Sequence, residues 1–188
     1  MNFLDLIRVY TIPQELVLKA CAVIDDPLFS WDKHTYTRNK GDGSYAAVSY
    51  GDVEPDVHLL PCNPMSYDLS SCAIDLYVQE FPEAHSPRFS SVRFNRYHQG
   101  QSMRIHWDAI ESLFTGADRG VPVLSIVGLL RSAEEGGDLV FTFPDGKTHR
   151  TLTEPGTVVV FPSSWMYRHE VTPIIKGIRD SYVSWTHF

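Results

Sequence analysis

Four residues carry side chains whose types and order could do chemistry: His106, Asp108, His169 and Arg179. The first two form His106-Trp107-Asp108, and the arginine follows the distal histidine by ten positions. Two imidazoles and one carboxylate are the donor set of the facial triad that holds non-haem Fe(II) and leaves the opposite coordination face open. A downstream arginine can grip a dianion through a forked, charge-assisted hydrogen bond to a carboxylate. An HxD pair alone is a weak signal. The ordered set HxD, distal His and Arg is much harder to obtain by accident.

Such a set needs strands to hold it. Strand side chains alternate with period two, so His106 and Asp108 share one face while Trp107 points away. By the same alternation Arg179, Ser181, Val183 and Trp185 share a face on the last apolar run. From about residue 90 the chain reads as short β-rich runs over 91–98, 102–109, 121–131, 138–143, 148–152, 157–162, 167–172 and 178–187, with glycine and proline turn signals between them. Eight such strands predict a barrel or sandwich. Two helices are expected before it, over 13–24 with Pro13 at the first helical position, and over 66–81 with Leu69, Cys72, Ala73, Leu76, Tyr77 and Phe81 as the apolar stripe. Residues 25–64 are too long for a structureless loop, so they hold short strands, with 45–50 a candidate, or a functional flap. The class is mainly β (α+β). The 188 residues form one domain, with 1–89 as helical support and flap and 90–188 as the β core.

The net charge of −7 argues against a general nucleic-acid binder, which would show a basic face. Cys21, Cys62 and Cys72 show no framework spacing and read as free thiols in a reducing compartment. The first residues lack the basic start of a signal peptide, and no apolar run approaches a membrane span, so a cytoplasmic location is expected. His34, His58, His85, His98, His149 and His187 read as ordinary surface or core histidines.

Tyr97-x-x-Gly100 through His106-Trp107-Asp108 resembles the 2-oxoglutarate- and Fe(II)-dependent dioxygenases, in particular their prolyl 4-hydroxylase branch. Gly136-Gly137-Asp138-Leu139-Val140-Phe141, Gly156-Thr157, His169-x-Val171-x-Pro173, Gly177-x-Arg179 and Trp185 are similar to later segments of that branch. The resemblance covers residues 90–188 and implies a double-stranded β-helix. It implies that His106, Asp108 and His169 ligate Fe(II), and that 2-oxoglutarate chelates the iron with its 5-carboxylate on Arg179 and a hydrogen bond from Tyr97. Ser181 either adds another bond or is satisfied within its strand. O2 is the co-substrate, succinate and CO2 are by-products, and ascorbate can serve as reductant.

A prolyl residue in a peptide or protein is the implied substrate, with a free amino acid or other small molecule as the rival. Trp185 either faces substrate or packs in the core. Arg119, in the loop after Asp108, either contacts substrate or is solvated. Trp31, Tyr36, Tyr45 and Tyr50 suit a flap over a peptide and equally suit packing on the barrel. Nucleic-acid demethylation is disfavoured because Trp185 stands where that branch carries a second arginine. More distant readings are a zinc hydrolase using the His-Asp-His set and a non-catalytic binding module on the same fold.

Overall fold

The computed structural model describes residues 2–40, 42, 44–61, 63–86, 88–109, 121–151 and 154–188. In chain order the elements are β1 (Arg8–Thr11), α1 (Gln14–Ile24), β2 (Asp32–Lys33), β3 (Tyr36–Asn39), β4 (Tyr45–Val48), β5 (Asp56–Leu60), α2 (Pro64–Glu80), β6 (Arg88–Phe89), β7 (Val92–Tyr97) and β8 (Met103–His106). They continue as β9 (Pro122–Arg131), β10 (Glu135–Gly136), β11 (Leu139–Thr142), β12 (Thr148–Thr151), β13 (Thr157–Pro162), β14 (Arg168–Val171), β15 (Ile174–Lys176) and β16 (Arg179–His187).

The strands build two facing antiparallel sheets. The large one has the order β1-β13-β9-β16-β7-β5-β2 with β6 also on β16, and the small one has the order β12-β11-β14-β8. Two two-stranded pieces, β10 with β15 and β3 with β4, complete the pairing. All eight runs expected after residue 90 are strands, within a residue or two at most ends. Asp108 differs in detail: β8 stops at His106, so the carboxylate lies just beyond the strand rather than on it.

Alternation divides the apolar residues between two cores. Leu124, Ile126, Leu130, Val158, Val160, Phe94 and Tyr182 face the helices, where they meet Leu16, Ala20, Ile24, Leu69, Ala73, Ile74 and Tyr77. Val127, Val159, Phe161, Tyr97, Phe141 and Ile174 face the other way and fill the space between the sheets. Burying each large apolar side chain stabilises the fold by about 1.5–3 kcal/mol.

Helix α2 starts where Asn63 accepts from the Ser66 amide at 2.9 Å while the Ser66 hydroxyl accepts from the Asn63 amide at 2.8 Å. Pro64 occupies the first turn, where its missing N–H is no loss. Its buried face includes Ser66, Leu69, Ser70, Ala73, Ile74 and Tyr77, whereas Leu76, expected in the stripe, is exposed. The face turns towards the serines because Ser70 bonds Ser184 at 2.8 Å and Tyr182 donates to the Leu69 carbonyl at 2.9 Å. Pro13 sits at the cap of α1, one residue before the position expected.

The 25–64 stretch contains both short strands and a β3–β4 hairpin, while β1 and β5 extend the large sheet from a region read as helices and flap. Cys21 and Cys72 are free thiols, and Cys62 lies outside the described residues. No helix among the described residues is long and apolar enough to cross a membrane.

Candidate active site

His106 and His169 meet because β8 and β14 pair antiparallel with these two residues directly opposite. Their ring centroids are 4.3 Å apart. Each Nδ1 lies against the carbonyl two residues back, Arg104 O at 2.7 Å for His106 and Tyr167 O at 3.1 Å for His169. A carbonyl only accepts, so each Nδ1 carries the proton and each Nε2 presents its lone pair. Both lone pairs point at Asp108, with His106 Nε2 3.5 Å from Oδ1 and His169 Nε2 3.7 Å from Oδ2. The three donors lie within 4.8 Å of one another.

Burial pushes the His169 imidazole down to about 4, leaving it neutral as a metal ligand must be. Burial works against charge on Asp108 too. The neighbouring histidines and the Ser125 hydroxyl outweigh it and hold the carboxyl far below its usual range. For His106, burial opposes the charge, yet Asp108 lifts its pKa above the ordinary value.

Ser125 on β9 donates to Asp108 Oδ2 at 2.6 Å and sits 2.8 Å from the Ser163 hydroxyl. The sequence reading passed over both serines. A signal was present: Ser125 breaks the apolar run between Leu124 and Ile126 on a strand buried on both faces.

The interior faces of β7 and β16 form the adjoining wall. Tyr97 stands opposite Arg179, Asn95 opposite Ser181 and Arg93 opposite Val183. Arg179 is 2% exposed, its guanidinium lies 5.2 Å from the Tyr97 ring, and its Nη1 donates to Ser181 at 2.7 Å. Ser181 is thus satisfied by Arg179 itself. The Arg179 Nε is buried and has no hydrogen-bond partner among the described residues. Gly137 makes room: its φ of +75° suits glycine, and a Cβ there would sit 3.0 Å from Arg179 Cδ.

Two cavities meet at His106 and Asp108. The inner one, about 30 Å³, is lined by Tyr97, Arg179, Ser181 and His169 among others, and the outer one, about 370 Å³, by His34, Tyr36, Ile105 and Trp107. Arg93, Met103, His106, Asp108 and Trp185 line both. Trp185 therefore stands on the cavity wall, with the Arg93 guanidinium 5.5 Å from its ring.

His34, read from sequence as ordinary, is 4% exposed and belongs to this wall. Tyr36 and Tyr50 gather around Arg104 at 5.5 and 3.4 Å, whereas Trp31 packs away from the site under Arg96 at 4.7 Å. The Tyr45 side chain and Arg119 lie outside the described residues.

Residues 92–187 match the family described as the 2OG-Fe(II) oxygenase superfamily. The chain belongs to that family, and its strands take the double-stranded β-helix fold of the solved structures it resembles.

Among curated relatives, a PKHD-type hydroxylase of Idiomarina loihiensis is 33% identical over 95 residues, 50% of this chain and 40% of its own. One of Klebsiella pneumoniae is 29% identical over 150 residues, 77% of this chain and 66% of its own. This chain thus spans less than two thirds of the length of either relative.

Similar solved structures include a Pseudomonas putida prolyl-4-hydroxylase (TM-score 0.66, 18% identity, 97% of this chain and 93% of that one). A prolyl hydroxylase of Trichoplax adhaerens, in complex with a hypoxia-inducible-factor oxygen degradation domain peptide fragment, gives 0.70 at 14% identity over 97% and 84%. At these identities the likeness is one of fold.

The donor set fits iron, since two Nε2 atoms and a carboxylate converge within reach of one ion. The orphaned Nε of buried Arg179 fits a carboxylate in the inner cavity.

Proposed function

We propose that the protein hydroxylates an unactivated C–H bond of a prolyl residue in a peptide or protein, with 2-oxoglutarate decarboxylated to succinate and CO2. His106, Asp108 and His169 hold the iron, and Arg179 and Tyr97 hold the far carboxylate of 2-oxoglutarate. The observation carrying this reading is the buried Arg179 Nε, unpartnered among the described residues, in the same cavity as three converging metal donors. Bound iron supplies the O2 activation, and this chain's own residues supply the geometry.

Ser181 orients the Arg179 fork, Ser125 orients the Asp108 carboxylate, and the two backbone carbonyls fix the histidine tautomers. Phe141 and Phe161, with ring centroids 5.8 and 4.9 Å from the His169 ring, keep water from the far side of that ligand. Trp185 and the outer cavity receive the substrate. The prolyl hydroxylase neighbours, one with a bound peptide fragment, support the peptide reading. A small carboxylic acid is the second reading, favoured by the guanidinium of Arg93 on the outer wall.

Anaerobic titration of the iron-loaded protein with 2-oxoglutarate tests the core of this reading. A weak visible charge-transfer band is expected, absent from Arg179→Ala at the same ligand concentration. Lack of the band in the intact, iron-loaded chain would overturn the cosubstrate site.

A further inference from the structure

Arg179 is one of two arginines on the interior ladder of β7 and β16. Arg93 is the other, four residues before Tyr97 on the same face of β7, hence about 13 Å along the strand. Arg179 lines only the inner cavity, whereas Arg93 lines both and shares the outer one with His34, Tyr36 and Trp185. The metal donors stand at the junction, so Arg93 lies on the side from which a substrate enters.

Arg93 differs in its partners from five other arginines of this chain. Arg8, Arg96, Arg104, Arg131 and Arg150 each pair with an aspartate or glutamate. The direct contacts of Arg93 are with neutral groups: Nε donates to Asn95 Oδ1 at 3.0 Å, Nη1 lies 3.2 Å from His34 Nε2, and the guanidinium lies over Trp185. Among the described residues no carboxylate comes within ion-pair distance of it.

Burial holds His34 neutral, so its Nε2 accepts from Arg93 while its protonated Nδ1 faces Glu54 at 3.8 Å. Asn95 and His34 thus fix the guanidinium plane without neutralising it. A cation set in a cavity wall, with Asp108 and Glu54 near it but no carboxylate within ion-pair distance, carries a desolvation cost that an incoming anion would offset. The nearby Asp108 is committed to the metal.

Resting on the hydroxylase reading above, we propose that Arg93 receives a carboxylate of the substrate itself. The substrate class is then an acid whose carboxylate lies a few bonds from the oxidised carbon: a free amino acid, a peptide's C-terminal residue or an acidic side chain. An internal prolyl residue with neutral flanks lacks that handle. The outer cavity, about 370 Å³, is at the small end of ligand-pocket sizes and suits one residue better than a long segment.

The test is anaerobic calorimetry on the iron-loaded protein, with and without 2-oxoglutarate. The probes are the common amino acids as free acids and as primary amides, short peptides ending in a free or amidated proline, and amidated peptides with internal aspartate or glutamate. At least one acid should bind about tenfold or more tighter than its amide. Arg93→Leu should erase that preference and Arg93→Lys should keep part of it, with 2-oxoglutarate affinity unchanged in both. The arm that responds identifies where the carboxylate comes from.

Equal binding of acids and amides, or no binding of any acid, would overturn the proposal. So would a parallel loss of 2-oxoglutarate affinity in Arg93→Leu, which would make Arg93 a cosubstrate or structural residue. Failure of the wild type to bind 2-oxoglutarate would strike the hydroxylase reading instead, and acid selectivity of the metal-loaded protein would still decide the role of Arg93.

Discussion

Ser125 reaches from the centre of the large sheet to Asp108 and donates a 2.6 Å hydrogen bond to the carboxylate oxygen that lies 3.7 Å from His169. It fixes which way the carboxylate faces, as outer partners of metal ligands commonly do. Ser125→Ala should weaken Fe(II) binding roughly 10–100-fold. Competition against a chelator of known affinity measures this, and unchanged affinity would mean that Asp108 orients itself.

Arg179 and Ser181 form the second coupled pair. Truncating a buried charge that holds an anionic ligand costs about 2–5 kcal/mol, so Arg179→Ala should raise the dissociation constant for 2-oxoglutarate at least about 30-fold. Ser181→Ala removes one hydrogen bond to the fork and should cost about 1 kcal/mol. Titration of the charge-transfer band reads both, and a Ser181→Ala effect as large as that of Arg179→Ala would assign the carboxylate directly to the serine.

Gly128 on β9 faces Tyr182 on β16 so closely that a Cβ would fall 2.0 Å from the tyrosine Cε1. The ring cannot swing aside easily, because its hydroxyl is tied to the Leu69 carbonyl. Gly128→Ala should destabilise the fold by about 1–3 kcal/mol. Thermal melting should show a drop of several degrees, and a wild-type melting temperature would mean that the Tyr182 anchor gives way freely.

Burial lowers the His34 pKa to about 3 against an ordinary value of 6.5. The unfolded chain therefore binds a proton that the folded one refuses between these values, and stability must fall as pH drops below about 6.5. By pH 5 the loss from this group is about 2 kcal/mol. His34→Gln, which keeps an acceptor for Arg93, should flatten that part of the urea-midpoint profile. An identical slope in the variant would mean that His34 charges without cost.

The strands after residue 90 and the candidate donors His106, Asp108 and His169, which the fold brings together, were legible because each rests on a local rule. Period-two burial marks β9 and β16, and His106, Asp108, His169 and Arg179 are residue types whose spacing already implies a ligand. What could not be read depends on which chain neighbour lies opposite. Strand β1 is four residues with alternate exposure and acquires its identity only by pairing with β13. Trp31 and Tyr36 look alike in composition, yet one packs under Arg96 and the other borders the cavity. Arg93 reads as one more charge on a strand until the register with β16 turns it inwards beside Trp185. Leu76 fitted the helical stripe, but the Ser70–Ser184 bond rotates α2 so that serines take that place.

The pairing of His106 with His169 also bears on how the protein survives in a crowded solution. Strand β8 ends the order of the small sheet, it carries the half-exposed Ile105, and its register with β14 shifts between His169 and Val171. Such a border is an invitation for a foreign strand to add on. An ion shared by the two histidines would tie that border to its neighbour at its far end. Removing it should loosen the β8–β14 seam, one of the two borders of the small sheet, and make the protein more prone to self-association.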